Sequence, residues 1–132
     1  MKKQLKTWTF DINPIAASRP RVSKYGHAYF TGPYKEFRSA MGLLVDERFT
    51  DTPLYQDVSL DVEVVCRVKK PKTTKLTCPR GDVDNFAKGV LDSFNGIIWD
   101  DDKNIVRLVV QKEWAPDGTE GNFSITVKEF NV

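Results

Sequence analysis

From Val58 to Val68 the chain sets an apolar side chain at every second position: Val58, Leu60, Val62, Val64, Cys66 and Val68. Mostly polar residues lie between them, so the segment reads as a β-strand with one face turned toward a core. Upstream, Leu5 to Ile12 alternates as a first strand and is stopped by Asn13-Pro14. Ser18 to Tyr25 is expected to be an extended basic loop, and Tyr25 to Phe30 a short strand or hairpin edge. Thr31-Gly32-Pro33 then opens a helix, with Pro33 in the first turn, where its missing N–H costs little. Tyr34, Phe37, Met41, Leu44, Val45 and Phe49 give that helix an apolar stripe, and Thr52-Pro53 breaks it.

Downstream of the alternating strand, Lys69 to Arg80 has two prolines and no periodicity, which predicts a mobile loop. A second helix is predicted over 82–95, with Asp82 as N-cap, Asp84 in the first turn and Gly96 as the left-handed residue that closes it. Val83, Phe86, Ala87, Val90, Leu91 and Phe94 form its buried face. Two strands, 104–114 and 122–130, are expected to form a hairpin through Pro116 to Gly121. The sum is an α+β fold: one domain, residues 1–132, with a mixed β-sheet and two α-helices packed on it.

Composition excludes several classes. No apolar run approaches the roughly 18 residues of a spanning helix, and Met1 to Lys6 leads into a polar-broken pattern unlike a signal peptide, so a cytoplasmic location is expected. Cys66 and Cys78 are too few and too far apart for a disulfide framework or a Cys-x-x-Cys metal site. They read as reduced thiols, one half-buried on a strand. The lone His27 supports neither a histidine-rich zinc site nor a histidine-centred triad.

The net charge of +2 conceals a strong segregation. Residues 1–38 carry eight Lys and Arg against Asp11 and Glu36, and Arg67 to Arg80 adds six more with no acid. From Asp82 to Asp102 there are six aspartates and one lysine. An acidic focus between basic segments suits a polyanionic substrate, with Arg19, Arg21, Lys69, Lys70, Lys72, Lys75 and Arg80 holding phosphates.

Asp82 and Asp84 straddle a helix start, and Lys88 shares a face with Asp84 four residues on. Ile97-Ile98-Trp99 can tether the following Asp100-Asp101-Asp102 turn to the core. Phosphodiester hydrolysis develops charge on attacking and leaving oxygens, which Mg²⁺ held by a few carboxylates can stabilise. An EF-hand reading fails in both registers, because Ala87 or Ile105 falls where glycine is needed and Ser93 or Gln111 where a bidentate Glu belongs. Helix capping and a solvated turn remain the plainer account of these acids. Asp92 within reach of Lys88 suggests an ordinary surface pair, while Trp99 and Trp114 read as core or sheet-face residues.

The stretch Gly81 to Gly96, continuing to Trp99-Asp100-Asp101-Asp102, resembles the RusA family of Holliday junction resolvases. The shared pattern is Asp-x-Asp-Asn, a lysine four beyond the second Asp, an apolar helix, Asn-Gly and an Asp-Asp turn. Arg19-Pro20-Arg21 and Gly26-His27-Ala28-Tyr29 are similar to the N-terminal part of phage-type members. The resemblance implies a homodimer that cuts branched DNA, such as a four-way junction, using Mg²⁺, with Mn²⁺ able to replace it. It implies metal ligation by Asp82, Asp84 and Asp102, a functional Lys88, and phage or prophage carriage. The run of three aspartates leaves Asp101 as the alternative third acid. A non-catalytic protein that binds branched DNA on the same scaffold is the other reading.

Overall fold

The computed structural model describes residues 5–130; Lys2, Lys3 and the rest of Met1–Gln4 lie outside the described residues. Its strands are β1 (Lys6–Phe10), β2 (Arg21–Val22), β3 (Ala28–Tyr29), β4 (Leu60–Val68), β5 (Ile105–Trp114) and β6 (Asn122–Glu129). Two helices, α1 (Gly32–Arg48) and α2 (Val83–Asp92), interrupt them. Four strands form one sheet in the order β1-β6-β4-β5, and β2 and β3 form a separate two-stranded ribbon. The expected basic loop therefore begins its ribbon at Arg21, and the short strand narrows to Ala28–Tyr29.

The alternating strand takes the interior of the sheet because one of its faces is wholly apolar. Leu60, Val62, Val64 and Cys66 are fully buried, while Glu63 is exposed on the opposite face. There Asp61 accepts from Arg107 at 2.7 Å. Farther along, Thr7–Thr126 and Thr9–Ser124 form hydroxyl pairs between β1 and β6. Both helices lie on the apolar face, so the α+β expectation of a mixed sheet carrying two helices holds. Tyr34, Phe37, Met41 and Val45 of α1 and Phe86, Ala87 and Val90 of α2 are buried there, with Phe10, Phe94 and Phe123 packed as an aromatic cluster between them.

The expected 104–114/122–130 hairpin does not form. β5 pairs with β4 in parallel and β6 pairs with β4 antiparallel, so β4 lies between the two. The turn-rich segment 115–121 steps across the end of β4 instead of reversing directly onto its neighbour. Parallel β4 and β5 require a crossover, and α2 supplies it. As a result, α2 starts beside the C-terminal ends of β4 and β5 and returns toward their beginnings. Lys112 near the end of β5 touches Gly81, whereas Trp99, after α2, bridges Tyr55, before β4.

Two local expectations also change. α2 stops at Asp92 rather than running to Asn95, because Ser93 donates to the Gly89 carbonyl and Phe94 tightens onto Leu91. Gly96 is left-handed (φ +78°), but it serves the following turn, where its N–H donates to Trp99 at 2.7 Å. Val83, placed on the buried face by periodicity, is 41% exposed at the open end of the helix.

Cys66 is fully buried rather than half-buried, and Cys78 is exposed. Burial pushes the Cys66 thiol up to about 12, so almost no thiolate exists near neutrality. We expect a thiol reagent at pH 8 to modify Cys78 in the native protein and Cys66 only after unfolding. Equal native rates at both positions would contradict this burial.

Candidate active site

The loop that ends β4 must turn back onto the sheet to begin α2, and Gly81 makes that turn. Its φ of +97° is left-handed, and a Cβ there would meet Ala16 Cβ at 3.0 Å and the Phe86 ring at 3.2 Å. Lys112 fixes the same bend from β5: its Nζ donates to the Pro79 carbonyl at 2.8 Å and the Gly81 carbonyl at 2.6 Å. This lysine was not singled out in the sequence. Its only signal is a cation in the register row whose neighbours on the core face are Leu108, Val110 and Trp114.

Asp82 follows with extended backbone (φ −74°, ψ 145°) at the N-cap position. Its carbonyl accepts the first helical N–H groups, from Asn85 at 3.0 Å and Phe86 at 3.2 Å. Its carboxylate makes no capping hydrogen bond. Asp84, exposed in the first turn, accepts only the adjacent Asn85 N–H at 3.1 Å. Capping thus accounts for the position of Asp82 and not for its side chain. Both carboxylates sit at the positive end of the helix dipole, open to solvent.

Lys88 lies one turn beyond Asp84, and its Nζ is held on Asp92 Oδ2 at 3.1 Å, with Arg38 also at 3.8 Å from that oxygen. The expected Lys88–Asp92 surface pair is present. Being exposed, it holds the lysine weakly.

The three consecutive aspartates divide their work. Asp100 builds the turn, accepting Asn104 Nδ2 at 2.7 Å, its neighbour's N–H at 3.1 Å and the Asp57 N–H at 3.4 Å. Asp101 caps the short 3-10 turn Asp102–Asn104 by accepting the Lys103 N–H at 2.9 Å. That bond, helped by a hydrogen bond with Asp102 and the Lys103 charge, holds the Asp101 carboxyl below its ordinary range. Asp102 is exposed and is not used for capping.

A single chain does not gather all these acids. Among the described residues, no group of three His, Cys, Asp or Glu side chains is placed to hold a metal ion. Asp82 and Asp84 share the start of α2, beside the end of β5, whereas Asp101 and Asp102 precede its beginning. Two carboxylates still fit a hard divalent cation that keeps waters and takes substrate phosphate oxygens.

The basic segments border the Asp82 end. The Ala17 N–H donates to the Asn85 carbonyl at 2.9 Å, and a Cβ at Gly89 would meet the Ile15 carbonyl at 2.8 Å, so residues 15–17 lie directly on α2. On one side of this strip a cavity of about 470 Å³ is lined by Arg19, Arg21 and Tyr34. On the other, a cavity of about 400 Å³ is lined by Lys69, Arg80, Phe86 and Trp114. Lys72 and Lys75 are exposed on the same loop. Lys69 and Lys70 pair with Glu120 at 2.7 Å and Asp117 at 3.8 Å, exposed contacts of small net worth. Trp99 is fully buried, donating to Asn95 Oδ1 at 2.7 Å, and Trp114 is partly buried with its ring N–H on the Leu76 carbonyl at 3.0 Å. No helix among the described residues is long and apolar enough to cross a membrane.

Comparison with known proteins places the whole arrangement in context. The model of the family described as endodeoxyribonuclease RusA matches residues 11–127. A Bacillus subtilis (strain 168) protein, "Uncharacterized protein YqaN", is 33% identical over 119 aligned positions, covering 79% of this chain and 84% of the relative.

Proposed function

This chain belongs to the RusA family of endodeoxyribonucleases, and we propose that it is a Mg²⁺-dependent, structure-selective enzyme that resolves Holliday junctions and other branched DNA. The proposed reaction is paired phosphodiester hydrolysis in DNA recombination and repair, by a homodimer whose nuclease domain spans residues 1–132. The observation that carries this reading is the pair of bare carboxylates, Asp82 and Asp84, at a helix start bordered by Arg19, Arg21 and Arg80.

Phosphate oxygens would repel two uncompensated carboxylates, so a protein that merely held DNA gains nothing from them. A divalent ion resolves that conflict: bound there, Mg²⁺ or Mn²⁺ supplies stabilisation for the charge that develops at the scissile phosphate. Asp82 and Asp84 are the assigned ligands. Asp102 is the assigned third acid in preference to Asp101, whose carboxylate caps its own turn. Lys88, released from Asp92, is positioned to meet a substrate phosphate near Asp84. Action in the cytoplasm and carriage by a phage or prophage rest on the resemblance of the 82–102 motif.

Arg19, Arg21, Lys69, Lys70, Lys72, Lys75 and Arg80 would hold the junction arms through phosphate contacts, without reading bases. Affinity should therefore fall linearly in log–log plots against salt, and each contact removed, as in Lys72→Ala or Lys75→Ala, should reduce the slope by about 0.9. The test of turnover is a labelled four-way junction incubated with protein in Mg²⁺ or in EDTA. Cleavage confined to Mg²⁺ supports the enzyme; stable binding with no cleavage in Mg²⁺ or Mn²⁺ would instead identify a DNA-binding protein.

A further inference from the structure

We propose that the acidic site is completed between two copies of this chain, with Asp102 supplied by the subunit opposite the one that supplies Asp82 and Asp84. The inference rests on the nuclease reading above and starts from a separation. Asp102 directly precedes β5, whereas Asp82 follows Gly81, which is tied to Lys112 near the other end of that strand. Seven residue steps from Ile105 to Lys112, at about 3.3 Å each, span roughly 23 Å. An acid pair and a third acid at opposite ends of one extended strand do not share an ion.

The same strand shows how a second copy removes that distance. β5 is an edge of the sheet, paired with β4 on one side only. It is ten residues long and exposes Val106 (52%), Leu108 (41%) and Val109 (41%). Leu108 pairs in register with buried Val62, so it lies on the core face, yet the helices leave it uncovered. A long apolar edge of this kind is what a chain that remains alone normally blunts.

Two-fold pairing of β5 with its copy is antiparallel, so it reverses the strand ends. With Leu108 on the axis, Lys103 falls opposite the partner's Glu113, and the same charge pair recurs at the other end. Asn104 then falls opposite the partner's Lys112, and Asp102 opposite the partner's Trp114. Each Asp102 is thereby delivered to the strand end where the other subunit anchors Gly81 and begins its Asp82–Asp84 pair. The dimer acquires two equivalent sites, neither of which exists in one subunit.

Mixed dimers test this. Asp84→Asn and Asp102→Asn chains carrying different tags are co-expressed, and the heterodimer is purified by both tags. Mn²⁺ binding is measured by calorimetry, and junction nicking is assayed beside it. With shared sites, one site of the mixed dimer collects both substitutions and the other collects none. The expected result is half the wild-type number of tight Mn²⁺ sites and nicking of one strand per junction. If each chain holds its own three acids, the mixed dimer has no tight site and no nicking, which overturns the proposal. A wild-type chain that sediments as a monomer while binding Mn²⁺ tightly overturns it as well. Leu108→Glu gives a second readout: an intact far-ultraviolet spectrum with loss of both the dimer and the tight Mn²⁺ sites is expected. A monomeric Leu108→Glu that retains those sites refutes the shared arrangement. If wild-type protein cuts no DNA although mixed dimers regain one Mn²⁺ site, the nuclease reading fails and the shared site stands.

Discussion

Asp84→Asn is expected to lower junction cleavage at least about 10²–10³-fold, the scale of losing one electrostatic stabiliser of a transition state. The fold should barely notice. Asp84 is exposed and accepts one hydrogen bond, from Asn85 at 3.1 Å, which an asparagine oxygen can still accept. Exposed substitutions away from packing usually shift stability by no more than about 0.5 kcal/mol. DNA affinity should hold or rise, because a negative charge leaves a surface that meets phosphate. The check is single-turnover cleavage, with circular dichroism and gel shifts on the same preparation. Near-wild-type cleavage with normal binding would remove Asp84 from the chemistry.

Trp99→Ala is the stability counterpart, expected to cost about 3–5 kcal/mol, the usual range for truncating a buried aromatic. Trp99 is fully buried, packs against Phe94 at 6.2 Å between ring centroids and hydrogen-bonds Asn95 through its ring nitrogen. Its backbone accepts from Gly96 and bridges Tyr55. Such a loss is a large share of the roughly 5–15 kcal/mol that keeps a domain folded, and should lower the melting temperature by roughly 10–20 °C. Because Asp100 to Asp102 follow immediately, cleavage should fall even at temperatures where the variant remains folded. Calorimetric melting with assays well below the midpoint separates the two effects. A melting shift of only a degree or two would show that Trp99 does not anchor the turn.

Local physics was legible in the sequence, and long-range placement was not. The β4 strand, the apolar stripe of α1, the start of α2 and the Lys88–Asp92 pair follow from periods of two or spacings of three and four, which need no knowledge of the rest of the chain. The hairpin was misread because Pro116 to Gly121 carries genuine turn chemistry, while the pairing partner is decided by β4, whose buried face claims the centre of the sheet. Lys112 gave no local cue, since its acceptors, Pro79 and Gly81, lie some thirty residues away in sequence. The candidate acids were visible as residue types at helix and turn positions. Their division into two ends of β5 was not, because sequence spacing carries no direction until the crossover is known. Nor could a run of three aspartates show that Asp100 and Asp101 hold the turn while Asp102 is left for other work.

Incision mapping on a synthetic four-way junction beside its linear duplex arms tests the proposed function most directly. With Mg²⁺, wild-type protein should make paired nicks at symmetric positions on two opposing strands of the junction and leave the duplex arms uncut. Equal cutting of junction and duplex, or no incision of either with Mg²⁺ or Mn²⁺ while the protein binds, would contradict a structure-selective resolvase.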